Sequence, residues 1–388
     1  FTEASVLKTS YYLKSAAPPA EKLVAALVTL PALVLVIYVL VRGALLIRRT
    51  RAWRFDWGRT VMLATGLLAA SKLLDRSEAV SAAWFGFHTP MLLHRFIAAF
   101  EEGIECLLPI GSVRVGGYHA GLALGGRFPR GWNAQRDGSL STTLQGYEGV
   151  EIVSPVLRGR DGLDQVRQVA RLLEEMGAKV NKTCGFHVHL GAASAAGDDF
   201  DEVADWVRRL INTTAQHEKA FYGAAGTTAR ERGTYCRSLK TAWRHKKERL
   251  TKKIKADDLR IEAAGISRYQ TLNLVPLFGR YRTVEFRCFS GTTSGRKMTA
   301  WIQMALAAAT MALARNTRFD APTTGYADTT TAVGAMQRFF YLAGWTRGRK
   351  DYYKPVCLAE GWVDEMAALD EAKQELMRLA RKYDDQAA

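Results

Sequence analysis

The chain has 388 residues, with 54 Lys and Arg against 38 Asp and Glu and a formal net charge of +16. Hydrophobic residues at 48% and charged residues at 24% exclude a disordered or collagen-like chain and leave ample apolar material for a core. Five cysteines with no C-x-x-C spacing exclude a zinc ribbon and a disulfide framework, and point to a reducing compartment.

The first predicted element runs from Leu23 to Val41, nineteen residues without a charge, and its apolar character continues past Arg42 to Ile47. That length meets the roughly 20 residues needed to cross a bilayer. It exceeds a signal-peptide core and ends in Arg48, Arg49 and Arg51 rather than in a small-residue cleavage site. The expectation is a single transmembrane helix at about 23–47 within a membrane-anchoring region, 1–94. Cations dominate after the span, which puts the C-terminal part in the cytoplasm by the positive-inside rule. Val61–Ala70 and Ala79–Leu93 are shorter apolar patches and read as amphipathic helices lying at the interface or packing on the soluble domain.

From Arg95 the pattern changes to short strands punctuated by glycine. Glu102–Pro109 reads as a strand, Gly111–Gly131 as a loop, Asp137–Leu140 as a turn and Gly149–Pro155 as a second strand. Asp161–Met176 has Leu163, Val166, Val169, Leu173 and Met176 at helical spacing, with Gly177 placed to cap it. Cys184–Leu190 alternates as a strand, Phe200–Ile211 is an amphipathic helix, and Tyr269–Pro276 and Thr283–Phe289 are further strands. Helices at Lys297–Ala314 and Val363–Tyr383 follow. The sum is α+β, a mainly antiparallel sheet with flanking helices, in a domain 95–320 followed by a helical region 321–388.

Four strands place polar groups opposite an apolar face: Glu105 between Ile104 and Cys106, Glu151 between Val150 and Ile152, His187 with His189, and Glu285 with Arg287. Any one of them suits a solvated sheet face. Together they describe one face lined by metal ligands and phosphate-binding cations. Cys106, Cys184 and Cys288 fall on the opposite faces and read as core packing. Lys240–Lys255 carries eight cations and one acid and reads as a solvated charged stretch, with no aromatic interleaving beyond Trp243 to suggest nucleic acid.

The order EGIE, DGS, GVEIVSP, CGFHVHL, RGTYCR, LNL and TVEFRCFSGT, over about Arg95 to Ala314, resembles the amidoligase family of glutamine-synthetase-like carboxylate–amine ligases. The resemblance implies a curved glutamine-synthetase-like sheet and amide or peptide-like bond formation through an acyl phosphate, with ATP and Mg²⁺. It implies Glu105, Glu151 and Glu285 as metal ligands, and Arg237, Arg282 and Arg287 at nucleotide phosphate. It implies His189 beside His187, with Glu285 and Arg287, in catalysis, and Asp137 and Asn273 near the substrate cleft. The family's first strand usually has two acids two residues apart, and here the second position is Leu107. Expected partners are small-molecule or peptide carboxylates and amines, the bilayer through 23–47, and a homo-oligomer or larger assembly. Two readings compete: a catalytically degenerate structural protein of a membrane or virion assembly, and a metal-dependent hydrolase using His187 and His189.

Overall fold

The computed structural model describes residues 100–118, 120–314, 317, 319, 328–345 and 365–388. The expected span at 23–47 and the patches up to Leu93 lie outside these residues. Among the described residues no helix is long and apolar enough to cross a membrane.

Eight strands form one sheet: β1 Phe100–Pro109, β2 Gly116–Tyr118, β3 Leu122–Ala123, β4 Asn133–Arg136, β5 Tyr147–Val153, β6 Gly185–Gly191, β7 Leu272–Asn273 and β8 Thr283–Ser290. Their order is β2-β4-β5-β1-β6-β8-β7, with β3 paired to β4. Every pairing is antiparallel except that of β2 with β4. Antiparallel pairing lets one sheet face be apolar and the other polar, and the burial follows that division. Ile104, Cys106, Leu108, Val150, Ile152, Phe186, Val188, Val284, Phe286 and Cys288 all join the main core cluster.

Helices cover this apolar face. Those that matter here are α1 Gly159–Glu175, α2 Phe200–Gln216, α3 Glu218–Ala225, α4 Gly295–Ala314, α5 Ala332–Leu342 and α6 Glu365–Ala387. Helix α4 packs on β6, α1, α2 and α6, and α3 packs on β8, α5 and α6. The 321–388 segment therefore contributes to the same core, through Met336, Phe339, Leu376 and Tyr383. Local chemistry sets the helix ends. Gly177 adopts φ 78°, and the Ala178 N–H returns to the Leu173 carbonyl to close α1. The Asp199 side chain accepts from the Asp201 and Glu202 N–H groups at the start of α2.

Several elements differ from the sequence expectation for identifiable reasons. The Gly111–Gly131 loop holds the short strands β2 and β3. Tyr269–Pro276 shrinks to two strand residues because the Asn273 Oδ1 accepts from the Val275 N–H and starts a 3₁₀ turn, Val275–Phe278, that contains Pro276. Lys240–Lys255 opens as a short helix, Leu239–Trp243, and continues as a 3₁₀ turn, Arg244–Leu250, with Trp243 and Leu250 buried. Strand β8 also carries a bulge against β6: Phe186 pairs with Phe289 and Val188 with Phe286, so Arg287 and Cys288 both stand opposite His187.

Aromatic packing ties the sheet to its helices. The Trp301 ring stacks on Phe289 at 5.2 Å and lies 5.6 Å from Phe186, and its Nε1–H donates to the Ala224 carbonyl at 2.7 Å. Truncating it would remove the stack, the packing and the hydrogen bond together. Trp301→Ala is expected to destabilise the fold by about 3–5 kcal/mol, read as a lower denaturant midpoint; a change below about 1 kcal/mol would contradict this packing.

Candidate active site

The second sheet face is polar, and the strand register assembles it row by row. Glu105 pairs with Glu151, and Glu151 with Gln135 on β4. Gly103 pairs with His187, and His189 with Glu285, which in turn pairs with Asn273. Four strand-borne motifs far apart in sequence thus meet on one surface, together with Asn273 at its β7 edge.

Glu105, Glu151 and His187 each offer one ligand atom, and these atoms lie within 4.8 Å of one another. Two glycines make room for them. A Cβ on Gly103 would stand 2.8 Å from the Glu151 Oε1, and one on Gly185 would stand 2.9 Å from the His187 Nε2 and 3.0 Å from the Glu105 Oε2. The Gly185 N–H itself donates to the Glu105 Oε2 at 2.5 Å.

Ionisation of this cluster is unfavourable. Burial, then the neighbouring Glu151 and Asp137, push the Glu105 pKa up to about 8, against the opposing pull of Arg230 and the Gly185 N–H. Burial raises Glu151 as well, although the Gln135 Nε2 donates to its Oε2 at 2.6 Å. Two buried carboxyls that resist ionisation side by side, with an imidazole between them and Glu285, make a donor set suited to a hard divalent cation.

Glu285 stands in the opposite electrostatic state. Burial alone would raise its pKa, but His189, the Arg287 guanidinium and the Asn273 amide outweigh it and hold it at about 2. Its Oε1 accepts from Arg287 at 2.6 Å and its Oε2 from the Asn273 Nδ2 at 2.5 Å. Both oxygens are therefore engaged, and the carboxylate orients its neighbours. Burial and Arg287 hold His187 well below the usual imidazole range, so it is neutral near pH 7. Placing its ring N–H on Nδ1, 3.3 Å from the Glu285 Oε1, leaves the Nε2 lone pair facing Glu105 at 3.7 Å. A carboxylate that fixes a histidine tautomer in this way is a frequent device behind metal-binding imidazoles.

The remaining sequence-derived residues divide clearly. Asp137 accepts the Ser139 N–H at 2.6 Å and adds its charge to the Glu105–Glu151 pair. His189 is 24% exposed, and its Nδ1 lies 3.1 Å from the Thr283 Oγ1. Arg237 is exposed beside β7, through backbone bonds to Tyr269 and Thr271. Arg282, at φ 51°, stacks on Phe200 at 4.4 Å and lines a small hollow with Ala193, Asp198 and Leu277. Leu107 is buried on the polar side, outside the main core cluster, with its backbone bonded to Lys179. The four described cysteines are free and buried. Gln135 and Arg230 escaped the sequence reading. Arg230 donates to the Cys184 carbonyl at 2.6 Å beside Gly185, and only its place in the RERGTYCR run hinted at it.

A helix-backed, mainly antiparallel sheet that gathers carboxylates, imidazoles and a guanidinium on its open face defines the class: an α+β scaffold with one charged, titratable sheet face. The family follows from a direct match. Residues 113–309, just over half of the chain, match the family model described as "Putative amidoligase enzyme", and the chain belongs to that family. The matched span starts beyond β1 and so leaves Glu105 outside it. No curated protein matches the chain. Among solved structures, a bifunctional glutathione synthetase from Pasteurella multocida is similar at 10% identity and a TM-score of 0.35, over 75% of this chain. This chain spans 50% of that protein's length.

The raised Glu105 pKa carries a signed consequence. Between its ordinary value of 4.5 and about 8, the folded state holds a proton that the unfolded state has lost. Stability of the metal-free protein should therefore fall as pH rises through that window, by up to about 1.4 kcal/mol per unit. Glu105→Gln should raise the melting temperature in EDTA at pH 8 and remove most of this slope. The same variant should weaken Mn²⁺ binding by isothermal calorimetry; a variant that melts lower than wild type and still binds the ion would refute the cluster.

Proposed function

We propose that the protein is an ATP- and divalent-cation-dependent carboxylate–amine ligase that forms an amide or peptide-like bond through an acyl phosphate. The observation that carries the reading is the Glu105–Glu151–His187 cluster beside the Arg287–Glu285–Asn273 group on one sheet face. Membership of the amidoligase family supports the reaction class.

A carboxylate is a poor acyl donor, so a substrate carboxylate oxygen first attacks the γ-phosphorus of ATP, giving an acyl phosphate and ADP. The amine nitrogen then attacks the acyl carbon, loses a proton, and releases inorganic phosphate as the amide forms. Glu105, Glu151 and the Nε2 of His187 would hold Mg²⁺, which supplies charge neutralisation for transferring phosphoryl oxygens. The chain's own groups account for the rest. Arg287, fixed by its bond to Glu285, presents a guanidinium of fixed orientation toward anionic substrate groups. Arg230, beside Glu105, adds a second half-buried cation. His189, the more exposed imidazole, is placed to accept the proton from the attacking amine. Gly103 and Gly185 keep the space between the strands open for these groups.

Attachment to a membrane through residues 23–47, with the ligase half on the cytoplasmic side, belongs to the same proposal; it rests on the apolar run and its flanking cations alone.

The test is phosphate release from ATP with Mg²⁺, measured with and without candidate carboxylate and amine pairs. Glu151→Gln and His187→Ala are each expected to lower turnover by at least about a hundredfold, the scale of losing a metal ligand. Unchanged turnover in both would exclude this site as the catalytic centre. Leu107→Glu should leave the fold intact and strengthen cation binding at low Mg²⁺; the absence of any nucleotide or cation binding in every variant and in wild type would favour a structural role for the scaffold.

A further inference from the structure

Residues 230–268 hold thirteen Lys and Arg against five Asp and Glu, a net of +8 that is half the charge of the whole chain. Part of this charge borders the candidate site. The Arg237 N–H donates to the Tyr269 carbonyl at 2.9 Å and its carbonyl accepts from the Thr271 N–H at 3.0 Å, two residues before Asn273. The Tyr269 ring lies 5.8 Å from the Arg287 guanidinium, which holds Glu285, and 5.1 Å from the guanidinium of Arg268. Tyr235, 46% exposed, meets Tyr269 edge-on at 5.5 Å. A continuous path of cations and aromatic rings thus runs from the buried Glu285–Arg287 pair to the surface.

Beyond Arg237 the path leads into the helix Leu239–Trp243, anchored by the Glu218 carboxylate, which accepts from the Ser238 hydroxyl at 2.7 Å and the Leu239 N–H at 2.5 Å. Lys240 and Arg244 are exposed on this anchored segment. Glu262 is taken up by Lys246 and Arg249. Among the described residues no acidic partner stands against Arg232, Arg237, Lys240 or Arg244. Exposed cations without an acidic partner add charge that the fold does not use.

We propose that this basic strip docks an acidic polypeptide and delivers one of its carboxylates to the Arg287 end of the site as the acyl substrate. The delivery half of the statement rests on the ligase reading; the docking half does not. A nucleic acid could satisfy the same cations and stack a base on the exposed Tyr235 ring, but it offers no carboxylate to the proposed chemistry. Glutamate or aspartate side chains match both the guanidinium forks and the proposed chemistry.

The probe is a fluorescein-labelled decaglutamate, followed by anisotropy in EDTA without nucleotide. Wild type should bind it with an affinity that falls as ionic strength rises. Lys240→Glu with Arg244→Glu should weaken binding about tenfold or more, with unchanged circular dichroism and unchanged Mn²⁺ affinity. Arg232→Glu provides a second variant should the double substitution fail to fold. An oligothymidylate of equal charge that binds as tightly as the peptide would overturn the proposal in favour of nucleic acid. Absence of binding to either probe would overturn the docking surface. Because metal and ATP are absent, a failed ligase assay leaves this result readable on its own.

Discussion

Placing two carboxyls together inside a folded protein is unfavourable, and the rest of the site is arranged around that fact. The Glu105–Glu151 pair sits in the middle of a sheet, on adjacent strands and directly opposite one another. Water is largely excluded, so their mutual repulsion is not screened as it would be at a surface. The structure responds locally with a glutamine amide, a backbone N–H and the nearby charge of Arg230. None of these is enough to keep both carboxyls ionised, and the Glu105 pKa is pushed up to about 8. A proton relieves the repulsion in the metal-free protein, and a divalent cation is the group that could take its place.

A few ångströms away the same sheet solves the same problem internally. Glu285 receives an arginine and an asparagine, and its carboxylate is fully ionised. One face therefore contains a satisfied carboxylate and an unsatisfied pair, bridged by the single imidazole of His187. Environments that push similar groups apart in this way divide labour among them. The satisfied member holds Arg287 and Asn273 in place; the unsatisfied pair is the one with which a cation is proposed to associate.

Much of this was legible in the sequence because strands have a period of two. Glu105, Glu151, His187 and Glu285 each fell opposite an apolar face, and the structure brings all four to one surface. Strand pairing order and register were not legible, since nothing in alternation says which strand neighbours which. Gln135 was missed because NAQR is too short and too polar to read as a strand. The β8 bulge was hidden because TVEFRCF alternates in sequence even where the backbone does not, and it places Cys288 and Phe289 on the same side. The engagement of Glu285 depends on Asn273, on a strand of only two residues whose limits are set by a side-chain turn rather than by propensity. Such features depend on three-dimensional neighbours, and single-sequence patterns are blind to them.

The last helix has a bearing on how the protein comes to exist at all. Tyr383 is buried in the core, and the Asp384 carboxylate accepts from the Ala332 and Val333 N–H groups at 2.7 and 2.9 Å. Helix α6 packs on both α3 and α4, which lie against the sheet. Synthesis proceeds from the N-terminus, so α6 leaves the ribosome after every residue of the candidate site. Until it does, the apolar sides of α3 and α4 lack their cover. A chain interrupted between α4 and α6 would carry every site residue and lack the core residues Leu376 and Tyr383. Such a product would be a substrate for chaperones and proteases, so the site residues and the core that supports them are made at different times.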